Sequence, residues 1–125
     1  MQNPINWFEL PVVDLERATR FYEQVFACKL KADAGPDLAL RIFPSNPAGV
    51  GGALVKDPRN QPAANGSIVY LNAGGILDQC LARVTAAGGK VLMPKTDIGE
   101  PGQIAIMLDT EGNRVGLHSG KRGEG

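Results

Sequence analysis

The sequence predicts an α+β fold in which two βαβββ units form a curled mixed sheet around a central cleft. Apolar residues alternate with period two in most segments, and two segments carry a helical stripe instead. The same order of elements occurs twice along the 125 residues, near 5–56 and 67–118, with a polar linker between them. A chain of this length is typical of one domain, so we expect a single domain over residues 1–125.

The first unit is predicted to begin with a strand over residues 5–13. Asp14 is then placed to cap a helix, because its carboxylate can accept from free amides in the first turn. One apolar stripe at helical spacing identifies that helix: Ala18, Phe21, Tyr22, Val25 and Phe26. Three further strands are predicted at 28–34, 37–43 and 50–56, with turns at Gly35-Pro36 and across 44–49.

The second unit repeats this order with a strand at 67–73 and a helix near 76–87 that Gly88-Gly89 ends. Its remaining strands are predicted at 90–94, 103–109 and 114–118. In both units the clearest alternation places Leu and Ile on one strand face, which we expect the helix to cover. The opposite, mixed face is then predicted to line the cleft, with Arg41, Phe43, Gln103 and Met107.

Composition narrows the range of partners and compartments. Thirteen Lys and Arg balance thirteen Asp and Glu, which disfavours nucleic acid and anionic membrane as partners. Cys28 and Cys80 are read as small core residues in a reducing cytosol. Neither a signal peptide nor an apolar run of about 20 residues is found, so we expect a cytoplasmic protein.

Three segments carry a family resemblance: "ELPVVDLERATRFYEQVF", "LARVTAAGGKVLMPKTDIG" and "LDTEGNRVGLH". They resemble the vicinal oxygen chelate superfamily, which includes glyoxalase I, bleomycin-resistance proteins and extradiol dioxygenases. Within it the chain looks most like the small single-domain, glyoxalase-related proteins. The resemblance implies the glyoxalase-like fold, a small-molecule ligand and a homodimer, since dimers are common in this family.

The resemblance also implies positions for a metal site, on the first and last strands of each unit. Those positions hold Trp7, Ser67, the run Gly51–Ala53 and Gly116, where the family usually has His or Glu. Divalent metals need imidazole, carboxylate or thiolate groups that converge, and this chain has one histidine. We therefore predict no metal cofactor, which weakens the case for the metal-dependent glyoxalase reaction.

Candidate site residues follow from strand alternation around Trp7. If Trp7 faces the cleft, Glu9 does too, and Arg114 and His118 share one face of the last strand. Glu9 and His118 are the candidate catalytic residues, with Glu9 as general base and His118 as its acid/base partner. The candidate ligand-binding residues are Trp7, Arg41, Phe43, Ser67, Gln103, Met107 and Arg114.

Each of these residues also has a structural interpretation. Trp7 could fill space that a metal site has vacated, and Glu9 could pair with Arg41 or Arg114. His118 could be a solvated strand end, and Ser67 a hydroxyl bonded to backbone. The glycines of "GVGGALV" lack phosphate-binding spacing and favour a bulge or a close backbone approach from the other unit.

Three functions stay open from the sequence. The leading hypothesis is a metal-free cleft that binds a small molecule, with Trp7 suited to an aromatic one. The second is a lyase or isomerase related to lactoylglutathione lyase, with Glu9 as base and a divalent metal in one version. The third is a dimeric interaction module that does not use its cleft. A turn-rich loop over residues 94–103 could close over a ligand in the first two cases.

Overall fold

The structure is a computed structural model that describes residues 3–34 and 39–120. The predicted order of elements is confirmed. The first unit contains β1 (Trp7–Pro11), α1 (Leu15–Phe26), β2 (Lys31–Ala34), β3 (Ala39–Ile42) and β4 (Gly51–Lys56). The second contains β5 (Tyr70–Asn72), α2 (Leu77–Val84), β6 (Lys90–Asp97), β7 (Gln103–Leu108) and β8 (Arg114–Ser119). The turn predicted at Gly35-Pro36, the start of the third strand at 37–38 and the tail at 121–125 lie outside the described residues.

Each unit forms its own four-stranded mixed sheet. The strand orders are β1-β4-β3-β2 and β5-β8-β7-β6. In each sheet the first and last strands of the unit pair in parallel, and the other pairs are antiparallel. A parallel pair needs a long crossover, which the helix and the two intervening strands supply. The α+β class is therefore confirmed, with two separate sheets.

The two helices start and end close to the residues that the sequence predicts. Asp14 caps α1 by accepting a hydrogen bond from the Arg17 amide at 3.0 Å. α1 ends at Ala27, which takes the left-handed conformation with φ of 52°. α2 ends at Val84, three residues before the predicted end, and the Gly89 amide then bonds the Val84 carbonyl at 2.9 Å.

Strand bounds differ from the predicted ones in both units, and β2 starts at Lys31 rather than at 28. β5 starts at Tyr70 rather than at 67, so Ser67 lies ahead of the strand and is exposed. β6 continues to Asp97, with two register shifts against β7. The loop predicted over 94–103 is therefore shorter than expected. Its Lys95 pairs with Asp78 of α2 at 3.0 Å.

One hydrophobic core joins both units. It gathers the buried faces of α1 and α2 with inner strand positions from both sheets, including Leu10, Leu54, Leu71, Met107 and Leu117. We call the helix-covered side of each sheet its inner face and the other side its open face. The predicted assignment of these faces is confirmed for β1, where Leu10 is buried and Trp7 is exposed.

The predicted faces of β3 and β7 are wrong. Met107 and Ala105 are fully buried in the core, whereas Ile104 and Ile106 lie half-buried on the open face. Alternation identifies two faces of a strand but does not say which one a helix covers. Here α1 already contributes the rings of Phe21 and Tyr22 to the core, and smaller or more flexible strand side chains pack around them.

The turn between β7 and β8, residues 109–113, ties the second unit to the first. The buried Tyr22 hydroxyl of α1 donates to Asp109 Oδ2 at 2.7 Å. Asn113 Nδ2 donates to the Pro11 carbonyl at the end of β1, also at 2.7 Å. The amides of Val13 and Asp14 donate to Glu111 Oε1 at 2.9 and 2.8 Å. Across the described ranges, no helix is long and apolar enough to cross a membrane.

Candidate functional site

The open face of the first sheet carries an exposed tryptophan beside a glycine. Trp7 pairs with Gly51 of β4 and is 45% exposed. A Cβ added at Gly51 would lie 3.2 Å from the indole ring, so the ring stands close over the glycine. The indole N–H donates to Glu9 Oε2 at 3.1 Å, which fixes the orientation of the ring along its own strand. The next row of this face, Glu9, Ala53 and Ile42, is largely apolar.

The open face of the second sheet repeats this arrangement with a tyrosine. Tyr70 pairs with Gly116 of β8 and is 41% exposed. A Cβ added at Gly116 would lie 2.2 Å from the Tyr70 ring, so only glycine leaves room for the ring there. The same row continues through Ile106 and Met93. Both units therefore present an aromatic ring over a glycine on an open face.

His118 and Arg114 each have a partner within the second unit. His118 Nε2 donates to the Pro101 carbonyl, because a carbonyl oxygen can only accept. Arg114 Nη2 donates to the Gly66 carbonyl at 3.0 Å. Its Nε is buried and has no hydrogen-bond partner among the described residues. These contacts fix both side chains near the start and end of β8.

The predicted site residues are divided among three places. Arg41 lies on the inner face and pairs with Glu16 of α1 at 2.6 Å, so its predicted place on the cleft face is wrong. Phe43 also lies on the helix side, with its ring centroid 5.4 Å from that of Tyr22. Met107 is in the core, and Gln103 shares its strand face at the start of β7. Trp7 and Glu9 lie on one open face, and Arg114 and His118 lie on that of the other sheet.

The predicted catalytic pair is not joined by a hydrogen bond. Within residues 3–34 and 39–120, Glu9 bonds Trp7 and His118 bonds Pro101. The alternative in which Glu9 pairs with Arg41 or Arg114 is not observed, because those guanidinium groups bond Glu16 and the Gly66 carbonyl. The glycines of β4 do admit a close approach, but it is made by side-chain rings of the neighbouring strand and not by backbone of the other unit.

The residues at the metal positions that the resemblance implies do not fit a metal. Trp7 has no free lone pair to donate, and Gly51 and Gly116 have no side chain. The space over Gly116 is filled by the Tyr70 ring. Where the chain is described, no group of three or more His, Cys, Asp or Glu residues is placed to hold an ion.

The structure also contains a cavity that the sequence did not predict. It has a volume of about 260 Å³ and lies between the two units, on the inner side of the first sheet. We call it the inter-unit cavity; its lining residues are Phe8, Phe26, Cys28, Phe43, Pro44, Val50, Leu71, Asn72 and Ile76. Burial, and then the nearby Glu23 carboxylate, raise the pKa of the Cys28 thiol. Sequence patterns gave no sign of it, because its walls come from segments up to 68 residues apart.

Comparison with known proteins identifies the family. A family model described as the Glyoxalase/Bleomycin resistance protein/Dioxygenase superfamily matches residues 4–117. The chain belongs to this superfamily, as the paired βαβββ units and their open faces indicate. The resemblance found in the sequence is therefore confirmed.

Curated relatives match the chain at low sequence identity. The chain is 27% identical over 125 residues to "Putative glyoxylase CFP32" of Mycobacterium bovis and Mycobacterium tuberculosis. That match covers 97% of this chain and 47% of the relative, so the chain spans about half the length of these curated relatives.

Two solved structures extend the comparison. A glyoxalase/bleomycin resistance protein from Albidiferax ferrireducens T118 matches with a TM-score of 0.70 at 20% identity, covering 92% of this chain and 97% of that one. TnmS3, an antibiotic binding protein from Streptomyces sp. CB03234, matches with a TM-score of 0.68 at 24% identity, covering 95% and 97%. At these identities the likeness shows the fold alone.

Proposed function

We propose that this protein binds a small, planar aromatic molecule on its open faces without a metal ion. The observation that carries the proposal is the pair of exposed rings, Trp7 and Tyr70, each standing over a glycine in the adjacent strand. Exposed aromatic side chains on an apolar surface offer stacking area to a ring. The residues at the implied metal positions do not fit a metal, so binding would rest on this surface.

Glu9 adds a polar group beside the stacking surface. The indole N–H of Trp7 already bonds its carboxylate, so the ring is held in one orientation before a ligand arrives. Fixing a contact group in advance lowers the entropy lost on binding. The carboxylate is exposed, and its remaining lone pairs can accept from a ligand hydroxyl or amine.

We also propose that two copies associate to enclose the ligand. Each open face carries apolar side chains that the single chain leaves partly exposed, with Ile42 and Leu40 on one and Ile104 and Ile106 on the other. The name of the Streptomyces neighbour, an antibiotic binding protein, supports a small organic ligand as the class to screen.

Trp7 is the only tryptophan, so its fluorescence reports this site directly. A thermal-shift screen of planar aromatic compounds should give hits, because a ligand that binds only the folded state raises Tm. Hits should quench Trp7, and Trp7→Ala should weaken their affinity by about tenfold through loss of the stacking contact. Val13→Ala, which truncates an exposed apolar side chain between β1 and α1, should leave affinity unchanged.

The two other functions predict different results. If the protein is a lyase or isomerase with Glu9 as base, elemental analysis and an assay on hemithioacetals would show stoichiometric metal with turnover. That result would overturn the metal-free proposal. If the cleft is unused and the protein is a dimeric interaction module, the ligand screen would be flat.

A further inference from the structure

We propose that the inter-unit cavity is a second binding site, for a neutral molecule of one or two aromatic rings with one polar substituent. It is separate from the open faces, because its sheet wall belongs to the inner face of the first sheet. Leu71 and Ile76 of the second unit close the opposite side. The site therefore goes beyond the function proposed above and does not depend on it.

One wall of the cavity is shaped by a missing side chain. Phe8 of β1, Gly52 of β4 and Phe43, which directly follows β3, form a row. Phe8 pairs with Gly52, and the Phe43 amide donates to the Gly52 carbonyl at 2.9 Å. The Phe8 and Phe43 ring centroids come within 5.6 Å of each other. A Cβ at Gly52 would lie 2.2 Å from the Phe8 ring, so only glycine lets this ring lie there.

The aromatic wall is held from behind by Tyr22. Its ring makes an edge contact with Phe43, with centroids 5.4 Å apart at 85°, and stacks with Phe26 at 6.4 Å and 11°. Tyr22 is fully buried, and its hydroxyl is bonded to Asp109 at 2.7 Å. The wall is thus positioned by packing and a buried hydrogen bond before any ligand enters, which favours binding over collapse.

Size and lining define the ligand class. A closed apolar cavity of about 150 Å³ holds benzene. The inter-unit cavity is open at the exposed residues Pro44, Val50 and Asn72, and its volume of about 260 Å³ admits one ring or two fused rings. The lining is mainly aromatic and aliphatic, and burying an ionised group there would be costly. A second depression adjoins the cavity at Pro44, Val50 and Asn72, and it adds Ser45 and Asn46. This polar mouth suits a hydroxyl or carbonyl substituent.

Cys28 provides a direct assay of the site, because its half-buried thiol lies in the cavity wall. Phenol and indole are suitable probes, and iodoacetamide is the alkylating reagent. At about ten times Kd, either probe should slow Cys28 alkylation by about tenfold, because about one site in ten is then free. Benzoate, similar in size but charged, should not protect. Cys80 is fully buried and serves as the internal control.

Two variants test the location. Cys28→Phe places a ring in the cavity and should abolish the phenol-induced amide shifts of Phe43 and Leu71 in ¹H–¹⁵N spectra. Lys29→Phe adds the same ring at the next, solvent-exposed position and should leave those shifts unchanged. If Cys28→Phe does not fold, Val50→Phe at the exposed mouth repeats the test.

Three results would overturn the second site. These are an absence of protection at the solubility limit of both probes, shifts that persist in the folded cavity variant, and loss of probe binding in Trp7→Ala. The last result would place the probe on the open face, and so would support the first proposal while removing this one. Retention of probe binding in Trp7→Ala supports the cavity regardless of the outcome at the open faces.

Discussion

At Gly52, pairing between strands leaves no space for a side chain. Its neighbours in the sheet are two phenylalanines, and the Phe8 ring occupies the position of a Cβ. No positive φ is required at Gly52, so its role is space and not backbone freedom. The substitution that adds one methyl group there isolates the packing effect.

We expect Gly52→Ala to lower the free energy of unfolding by about 1–3 kcal/mol, the usual cost of overpacking a well-packed region. Urea denaturation of purified protein measures this. Phe8→Ala in the same chain should remove most of the added cost, because it removes the ring that the methyl group meets. Gly49→Ala, where a Cβ would have contacts no closer than 3.4 Å, should cost little. Equal effects at Gly49 and Gly52 would contradict this account.

Strand alternation predicted the placement of some side chains correctly and of others wrongly, for a physical reason. Leu10 and Trp7 fall on the predicted faces of β1, because one face of that strand is clearly apolar and the other carries Glu9. In β7 both faces are apolar, so alternation alone could not tell whether Ile106 or Met107 is buried. The roles of Trp7, Glu9 and His118 toward a ligand stay predictions.

Between elements, Glu111 in the β7–β8 turn binds the residues at the start of α1. Glu111 accepts from two backbone amides and from Arg17 Nε, the latter at 2.8 Å, and its side chain is fully buried. Burial alone would raise the pKa of Glu111. The hydrogen bonds from Arg17 and from the amides of Asp14 and Val13 outweigh burial and lower the pKa to about 2.

The lowered pKa of Glu111 predicts a loss of stability in acid. Because the folded pKa is about 2 and the ordinary value is 4.5, the stabilisation is complete above about pH 4.5 and is lost as pH falls toward 2. The shift corresponds to at most roughly 3 kcal/mol, and we expect about 2 because the exposed Arg17 is screened. Glu111→Gln should therefore cost about 2 kcal/mol at pH 7 and nearly nothing at pH 2, by urea denaturation.

Glu16→Gln is the matched control, since Glu16 also pairs with an arginine but is mostly exposed. It should change the unfolding free energy by less than about 1 kcal/mol at either pH. A Glu111→Gln cost that is the same at both pH values would contradict a role for the ionised carboxylate.

The contact between Asp14 and Glu111 could not be predicted from the sequence. The cap from Asp14 to Arg17 spans three residues and follows a known local pattern, whereas the contact of Asp14 with Glu111 spans 97 residues.

The two-unit architecture was predictable because each unit repeats a local pattern, but surfaces between units were not. The inter-unit cavity depends on how β1, α1 and β5 approach one another, and no periodicity encodes that approach. The open faces were foreseen as a cleft within one chain. In the structure each sheet's open face is uncovered at its aromatic row, with Trp7 and Tyr70 both about half exposed. A second copy would remove that apolar surface from water.

We therefore expect a dimer of twice the 13.2 kDa chain mass in sedimentation equilibrium, with Tm rising as protein concentration increases. Ile106→Glu should shift the population to monomer, because an unpaired charge buried at an apolar interface is costly. Ile5→Glu, at an exposed position before β1, should leave the dimer intact. If wild type sediments at the single-chain mass at tens of micromolar, the open faces do not pair, and ligand binding there would have to occur on one uncovered sheet. Retained Trp7 quenching by a ligand in monomeric Ile106→Glu would separate these cases, because it would show that the Trp7 face binds without the second copy.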